Sequence, residues 1–359
     1  PNAEADITGI SFEEDVLANS YIDLNPSYDE SQNAYPIRIS VKEGTDMTSL
    51  APIFELTPGA TISPASGSVQ NFTTPVRYTV TSEDKAWHRV YAITAREQKA
   101  SNIPTTYHFE KVRIMQNVWQ EFYEEQDSGN ELTWASGNKG FKWAMSEAAT
   151  EDYPTTQIDN GKTGKCVKLE TRLTGDLGNM VGMPIAAGNL FIGSFDMLNA
   201  ITNPLSATRF GTPFYNKPLL LTGYYKYKAG EQFYENGEYT SRKDIFNIYA
   251  IFYDGVKYDS AGKGTDVTLD GNLPNQNYEH SSMVALALVS NPQETEGDEW
   301  KFFDIPFDYQ RYGKKIDEAR LAKGEYKIGI IFASSKDGAT FEGAPGSTLL
   351  IDEVELIYE

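Results

Sequence analysis

The chain has 359 residues, 51 acidic against 31 basic, for a net charge of −20. Its length suits two domains of ordinary size, its 40% hydrophobic and 23% charged residues exclude long disorder, and its acidity excludes a polyphosphate backbone or an anionic bilayer surface as a partner. One cysteine, Cys166, excludes an internal disulfide, and three widely spaced histidines, His88, His108 and His280, leave no zinc or haem spacing to read.

No apolar run approaches the roughly 18 to 20 residues that cross a membrane, so no direct membrane insertion is expected. The chain begins at Pro1 without an initiator methionine. A trimmed natural N-terminus is therefore the expectation, with a signal peptide or lipid anchor as the segment removed.

From the N-terminus onward, short alternating runs bounded by Gly, Pro, Asn and Asp predict strands at Tyr35 to Val41, Val76 to Thr81 and Val90 to Ala95. One helical turn is expected near Asp46 to Leu50. The polar stretch Arg96 to Asn102 and then Ile103-Pro104 mark a boundary, placing a linker at about 97 to 104. Residues 1–98 then fit a seven-strand immunoglobulin-like sandwich. Residues 105–359 fit a larger jelly-roll β-sandwich with long loops, so the whole chain is expected to be all-β.

In the second segment, Cys166 lies in the strand-like run Lys165 to Leu169 and is expected in the core rather than as a nucleophile. Alternation in Leu219 to Lys228 places Leu219, Leu221, Tyr225 and Tyr227 inward, with Tyr224 and Lys226 on the opposite, more polar face. The run Ile245 to Tyr253 sorts the same way, with Phe246, Ile248, Ala250 and Phe252 inward and Asn247 and Tyr249 outward. Tyr224, Lys226, Asn247 and Tyr249 are therefore expected to line one exposed groove, whose flat rings, amide and ammonium suit a neutral sugar. The dipeptide Asp254-Gly255 predicts a hairpin to Val256-Lys257-Tyr258, and Asp270-Gly271 and Asp337-Gly338 are further turn signals. Ser260 to Asn277 reads as a loop, Ile316 to Ala322 as a helical turn, and Tyr326 to Phe332 as a strand.

The loop Ser334 to Ser347, SSKDGATFEGAPGS, surrounds Lys336, Asp337 and Glu342 with small residues and is a candidate rim. In the final strand Leu350, Val354, Leu356 and Tyr358 share an expected core face with Asp352 among them. A carboxylate so placed needs a cation, an Arg partner or backbone N–H groups. Glycoside hydrolysis needs two carboxyl groups facing one bond. Asp244, Asp337 and Glu342 are conceivable members, while no nucleophile elbow, phosphate-binding loop or metalloprotease helix is present.

Five strings in this second segment, GNLFIGSF (Gly188 to Phe195), RFGTPF (Arg209 to Phe214), GYYKY (Gly223 to Tyr227), IYAIF (Ile248 to Phe252) and SSKDGATFEGAPGSTLLID (Ser334 to Asp352), resemble the putative carbohydrate metabolism domain of Bacteroidetes surface proteins. GATISPASG (Gly59 to Gly67) and YTVTSED (Tyr78 to Asp84) resemble the immunoglobulin-like modules that precede it, which implies that residues 1–98 act as a spacer domain. The resemblance implies an extracytoplasmic protein, an outer-membrane lipoprotein or a secreted one, whose partner is an oligo- or polysaccharide. It also implies that Glu110 and Asp352 occupy places where similar jelly rolls hold a structural calcium, with no other cofactor required. The expected function is glycan capture or utilisation through binding, without demonstrated catalysis. A glycoside hydrolase using paired carboxylates and a structural or adhesive surface protein are the alternatives.

Overall fold

The computed structural model describes residues 2–359. Strands take 42% of the chain and helices 10%, an all-β sandwich architecture, and the chain divides into a compact unit ending at Ala100 and a second, Ser101–Tyr358.

The first unit contains β1 (Ile7–Ser11), β2 (Tyr35–Lys42), β3 (Ile53–Leu56), β4 (Thr61–Ser63), β5 (Val76–Thr81) and β6 (His88–Gln98). β1 pairs with β3, and the second sheet runs β2-β6-β5-β4, with β2 parallel to β6 and the other pairs antiparallel. Two-residue alternation sends Ile37, Ile39 and Val41 of β2 inward against Tyr78, Val80, Tyr91 and Ile93. The expected helical turn at Asp46 to Leu50 is not a helix. The Asp46 carboxylate accepts the Thr48 N–H at 3.0 Å, closing a tight turn, and Leu50 then bridges to Gln70.

The second unit is built from β7 (Thr106–Tyr107), β8 (Thr155–Asp159), β9 (Lys165–Glu170), β10 (Asn189–Phe191), β11 (Thr212–Pro213), β12 (Pro218–Lys228), β13 (Asn247–Asp254), β14 (Met283–Leu288), β15 (Lys301–Pro306), β16 (Tyr326–Ala333) and β17 (Thr348–Tyr358), with smaller hairpins attached. One sheet runs β8-β9-β17-β12-β15 with β7 against β17, and the other runs β10-β16-β13-β14 with β11 against β16. Their facing sides enclose one core, to which β12 gives Leu221, Tyr225 and Tyr227, β13 gives Ile248, Ala250 and Phe252, and β16 gives Ile328, Ile330 and Phe332. Trp134 sits within it, 5.0 Å from the Tyr107 ring and 5.9 Å from Phe332. The helices are short: α1 (Asn138–Ala144), α2 (Gly175–Met180), α3 (Met197–Thr202) and α4 (Glu318–Ala322).

Asp254-Gly255 does not close a hairpin. β13 ends at Asp254, and Val256–Tyr258 pairs with Gly264–Asp266 instead. The Asp254 carboxylate takes both guanidinium nitrogens of Arg320, at 2.6 and 2.7 Å, so the chain leaves the sheet here to meet α4. The residues expected as one long loop, Ser260 to Asn277, carry that short strand, a second at Leu269–Asp270 and a turn of 3-10 helix at Pro274–Gln276.

The Trp134→Ala variant is expected to lose about 3 to 5 kcal/mol of stability in urea unfolding, because a fully buried large ring leaves a cavity. A loss below about 1 kcal/mol would show that Trp134 is peripheral to the core.

Candidate functional site

Register decides which side chains meet on the outer face of the β12 sheet. Cys166 of β9, Asp352 of β17, Tyr224 of β12 and Phe302 of β15 fall in one row across neighbouring strands, and Lys168, Leu350 and Lys226 fall in the next. The Tyr224 and Phe302 rings lie 5.2 Å apart, and Phe302 is 51% exposed. Lys226 Nζ stands 5.0 Å from the centre of the Trp300 ring and 2.8 Å from Asp298, while Lys162 Nζ sits 4.9 Å over Tyr224. Three aromatic rings and two ammonium groups therefore share one open platform. Trp300, Phe302 and Lys162 were not singled out from sequence, although the alternation of KFFDIP already turns Phe303 and Ile305 inward and Phe302 outward.

Asn247 and Tyr249 do not join Tyr224 and Lys226 in one groove. They project from the outer face of the opposite sheet, so the core of the sandwich separates the two pairs. Tyr249 is buried at 3% exposure against Phe210 and Tyr278, and burial pushes its hydroxyl well above the usual tyrosine range. Asn247 donates to the Tyr278 hydroxyl at 3.0 Å. Both residues line a cavity of about 180 Å³ with Asn189 and Lys336, beneath α1, α3 and the Ser334 to Ser347 loop.

That loop is held from below. Asp244, at 2% exposure, accepts the Ser335 and Ser347 hydroxyls at 2.6 and 2.7 Å, the Ala344 N–H at 2.8 Å and the Ile245 N–H at 2.9 Å. Burial raises its carboxyl, and these donors pull it back. A Cβ at Gly343 would lie 2.5 Å from the Ser335 hydroxyl, so the loop passes here only as glycine. Asp337 is committed to Arg242 at 2.5 Å, and Arg242 also reaches Glu235 at 3.1 Å. Glu342 is half-buried on the same loop, and neither it nor Asp244 lines the cavity.

Asp352 is fully buried, yet not on the core face. The core side chains of β17 are Leu349 and Ile351, then Val354, Leu356 and Tyr358. Between them Glu353 adopts a φ of 47° and the pairing with β12 slips, a bulge that reverses the phase. Leu350 and Asp352 consequently face outward, and Asp352 is covered by the 161–165 turn. Its Oδ2 accepts the Thr163 N–H at 3.0 Å and its Oδ1 the Glu353 N–H at 2.9 Å. A Cβ on Gly161 would come within 2.7 Å of Oδ2. Glu110 accepts the Lys165 N–H at 2.8 Å, so both carboxylates hold the same turn. Calcium takes six to eight oxygens, and among the described residues no group of three or more Asp, Glu, His or Cys is gathered that would hold it. Cys166 is buried beside Asp352, its thiol pushed up to about 12 by burial.

Residues 108–357 match the family model of the putative carbohydrate metabolism domain, and residues 23–95 match that of the SGBP N-terminal domain. A putative glycoside hydrolase from Bacteroides thetaiotaomicron is similar over 100% of this chain and 98% of its own, with 45% identity and a TM-score of 0.64. Another from Bacteroides vulgatus is similar over 72% of this chain and all of its own, with 50% identity and a TM-score of 0.67. No curated protein matches.

Burial pushes the Asp352 carboxyl up to about 6 against an unfolded value of 3.8. Through this group the folded chain binds more protons between those values, and the stability that Asp352 contributes is lost as pH rises from about 4 to about 6. Asp352→Asn, neutral throughout, is expected to remove that slope in urea unfolding. The wild-type melt is expected to be insensitive to a calcium chelator, and a lowered melting temperature would assign Glu110 and Asp352 to a calcium ion instead.

Proposed function

The chain belongs to the putative carbohydrate metabolism domain family, and on that premise we propose that it is a glycan-binding protein of the bacterial surface that captures oligo- or polysaccharide without cleaving it. Its carbohydrate-associated role follows from the family. The observation that carries the finer reading is the platform of Tyr224, Phe302 and Trp300. Sugar rings present C–H faces that stack on aromatic rings and hydroxyls that accept from ammonium groups, here Lys162 and Lys226. The platform is open, which suits a chain lying across it. The unit ending at Ala100 is read as a spacer that carries the second unit away from the membrane, with a lipid anchor ahead of it.

A hydrolase is the second reading. It is favoured by the names of the two similar Bacteroides proteins and by an open cleft of about 670 Å³ on the other side of α1, lined by Asp152 and Glu170. Asp152 and Glu170 approach Arg172, at 4.0 and 3.2 Å, and Glu170 also meets Lys168 at 2.6 Å, while Glu147, the third carboxylate of the cleft, forms no ion pair among the described residues. A glycosidase needs one carboxyl kept protonated as a general acid, and the flanking cations oppose that at Asp152 and Glu170.

Affinity electrophoresis in gels containing surface polysaccharides is expected to retard the wild type. Tyr224→Ala, Phe302→Ala and Trp300→Ala should each weaken retention by up to about tenfold, the range that loss of one aromatic contact gives. Unchanged retention in all three would place the glycan elsewhere. Reducing-sugar release from the same polymers, lost in Glu170→Gln, would replace this reading with the hydrolase.

A chain beginning at Ser101 is expected to retain the same polysaccharide as the full chain. Lost retention in a truncation with an unchanged melting temperature would assign a binding role to the first unit.

A further inference from the structure

The cavity on the outer face of the β13 sheet has a chemistry unlike the platform's. Tyr249 and Ile331 form its floor, Phe141 and Trp143 of α1 one wall, and Ile201 of α3 and Phe341 of the Ser334 to Ser347 loop the others. Its volume of about 180 Å³ is slightly above the roughly 150 Å³ of an apolar cavity that holds one benzene molecule. Trp143 and Ile201, at 38% and 42% exposure, stand at its mouth, so it opens to solvent.

Of its polar groups, Thr174, Asn247 and Ser335 already donate within the protein, to the Met183 carbonyl, the Tyr278 hydroxyl and Asp244, and three donors are left over. No Asp or Glu lines it, and its one charged lining residue is Lys336, exposed at the rim, which forms no ion pair among the described residues. Tyr249 is 3% exposed, and its hydroxyl makes no hydrogen bond among the described residues. Tyr78, Tyr107 and Tyr153 also leave buried hydroxyls without a partner, but Tyr249 lines this cavity, so an acceptor bound there can reach its hydroxyl. Asn189 spends its carbonyl on the Gly137 N–H at 2.7 Å, which leaves its amide N–H groups as donors. A cavity with an apolar floor, three kinds of unpaired donor and no acid is selective for an apolar group that ends in an acceptor.

We propose that this cavity is a binding site for a small apolar carboxylate, one aromatic ring or a chain of about six carbons, with the apolar end on Tyr249, Ile331 and Phe141 and the carboxylate toward Lys336. This site is independent of the glycan reading, because it lies on the opposite sheet from the platform. Charge selects the carboxylate: in a chain of net charge −20, a cavity lined by no acids and with one unpaired lysine at its rim is a local minimum for an anion.

Calorimetric titration of the full chain with 3-phenylpropanoate and with its neutral counterpart, 3-phenylpropan-1-ol, tests it. The acid is expected to bind with a Kd of about 0.1 to 1 mM, and the alcohol about tenfold more weakly. Lys336→Gln should bring the acid down to the level of the alcohol while leaving polysaccharide retention unchanged. Tyr249→Phe, which preserves the packing, should weaken the acid by about threefold, and Ala200→Phe, filling the mouth from α3, should abolish both titrations with an unchanged melting temperature. If the wild type binds neither probe at about 5 mM, or if Lys336→Gln and Ala200→Phe both titrate like the wild type, the proposal is overturned. It is equally overturned if light scattering finds the chain self-associating and Ala200→Phe returning it to a monomer, since a second copy would then occupy the cavity.

Discussion

One buried carboxylate, that of Asp244, fixes the geometry on which the β13 side of the larger sandwich depends. Four donors converge on it, three of them, Ser335, Ala344 and Ser347, from the loop after β16. A buried charge left unpaired would cost several kcal/mol, so the loop is not free to choose another path while Asp244 stays ionised. Ser335 extends the network to Thr171 at 2.5 Å, tying the same loop to the segment after β9. The residues that the loop contributes to the cavity, Ser335, Lys336, Gly338, Ala339 and Phe341, lie on the stretch that this arrangement positions. The small residues of the loop follow from this, since backbone and hydroxyl groups must approach one carboxylate at hydrogen-bonding distance.

The two outer faces of the sandwich divide the surface chemistry between them. On the β12 sheet the outward row ends in open rings, and the single charge buried there, Asp352, is covered by a turn that Glu110 also holds. On the β13 sheet the outward residues Tyr249, Ile251 and Tyr253 pack into a second apolar cluster with Phe191, Phe210 and Leu269. That face is roofed by short helices and hairpins, and the cavity is what the roof leaves unfilled. A sheet that is apolar on both faces needs such a cover, because its exposed side would otherwise be a large hydrophobic patch.

Two-residue alternation made much of the fold legible in the sequence: β5 spans Val76–Thr81 as expected, β16 and β6 extend their expected runs by a few residues, and the inward set of β12 includes Leu221, Tyr225 and Tyr227. The site was legible only residue by residue. Tyr224 and Tyr249 both alternate away from the core, yet alternation carries no information on which sheet a strand joins, and the two strands joined different ones. Asp352 illustrates a second limit. Phase was carried straight through β17, whereas one residue at positive φ, Glu353, resets it, and glutamate is not a residue type that announces a bulge. The short helices left little periodicity to read, and α1 and α3 build most of the rim from a Trp and an Ile that look like core residues in sequence.

Charge narrows what the open platform can hold. At physiological salt, interactions beyond about 8 Å are largely screened, so Lys162 and Lys226 act on a ligand only once it rests on the rings. Before that, an approaching polymer meets the field of a chain carrying −20, which slows a polyanion and leaves a neutral chain unaffected. Lys226 is also shared with Asp298 at 2.8 Å, which reduces the net positive charge that a polyanion would find. A neutral glycan on the proposed platform would meet neither obstacle, its hydroxyls accepting from the ammonium groups. The cavity differs in that its cation is unshared and its walls exclude water from the apolar end of a ligand, so a single small anion is favoured there even though a long one is repelled from the molecule as a whole.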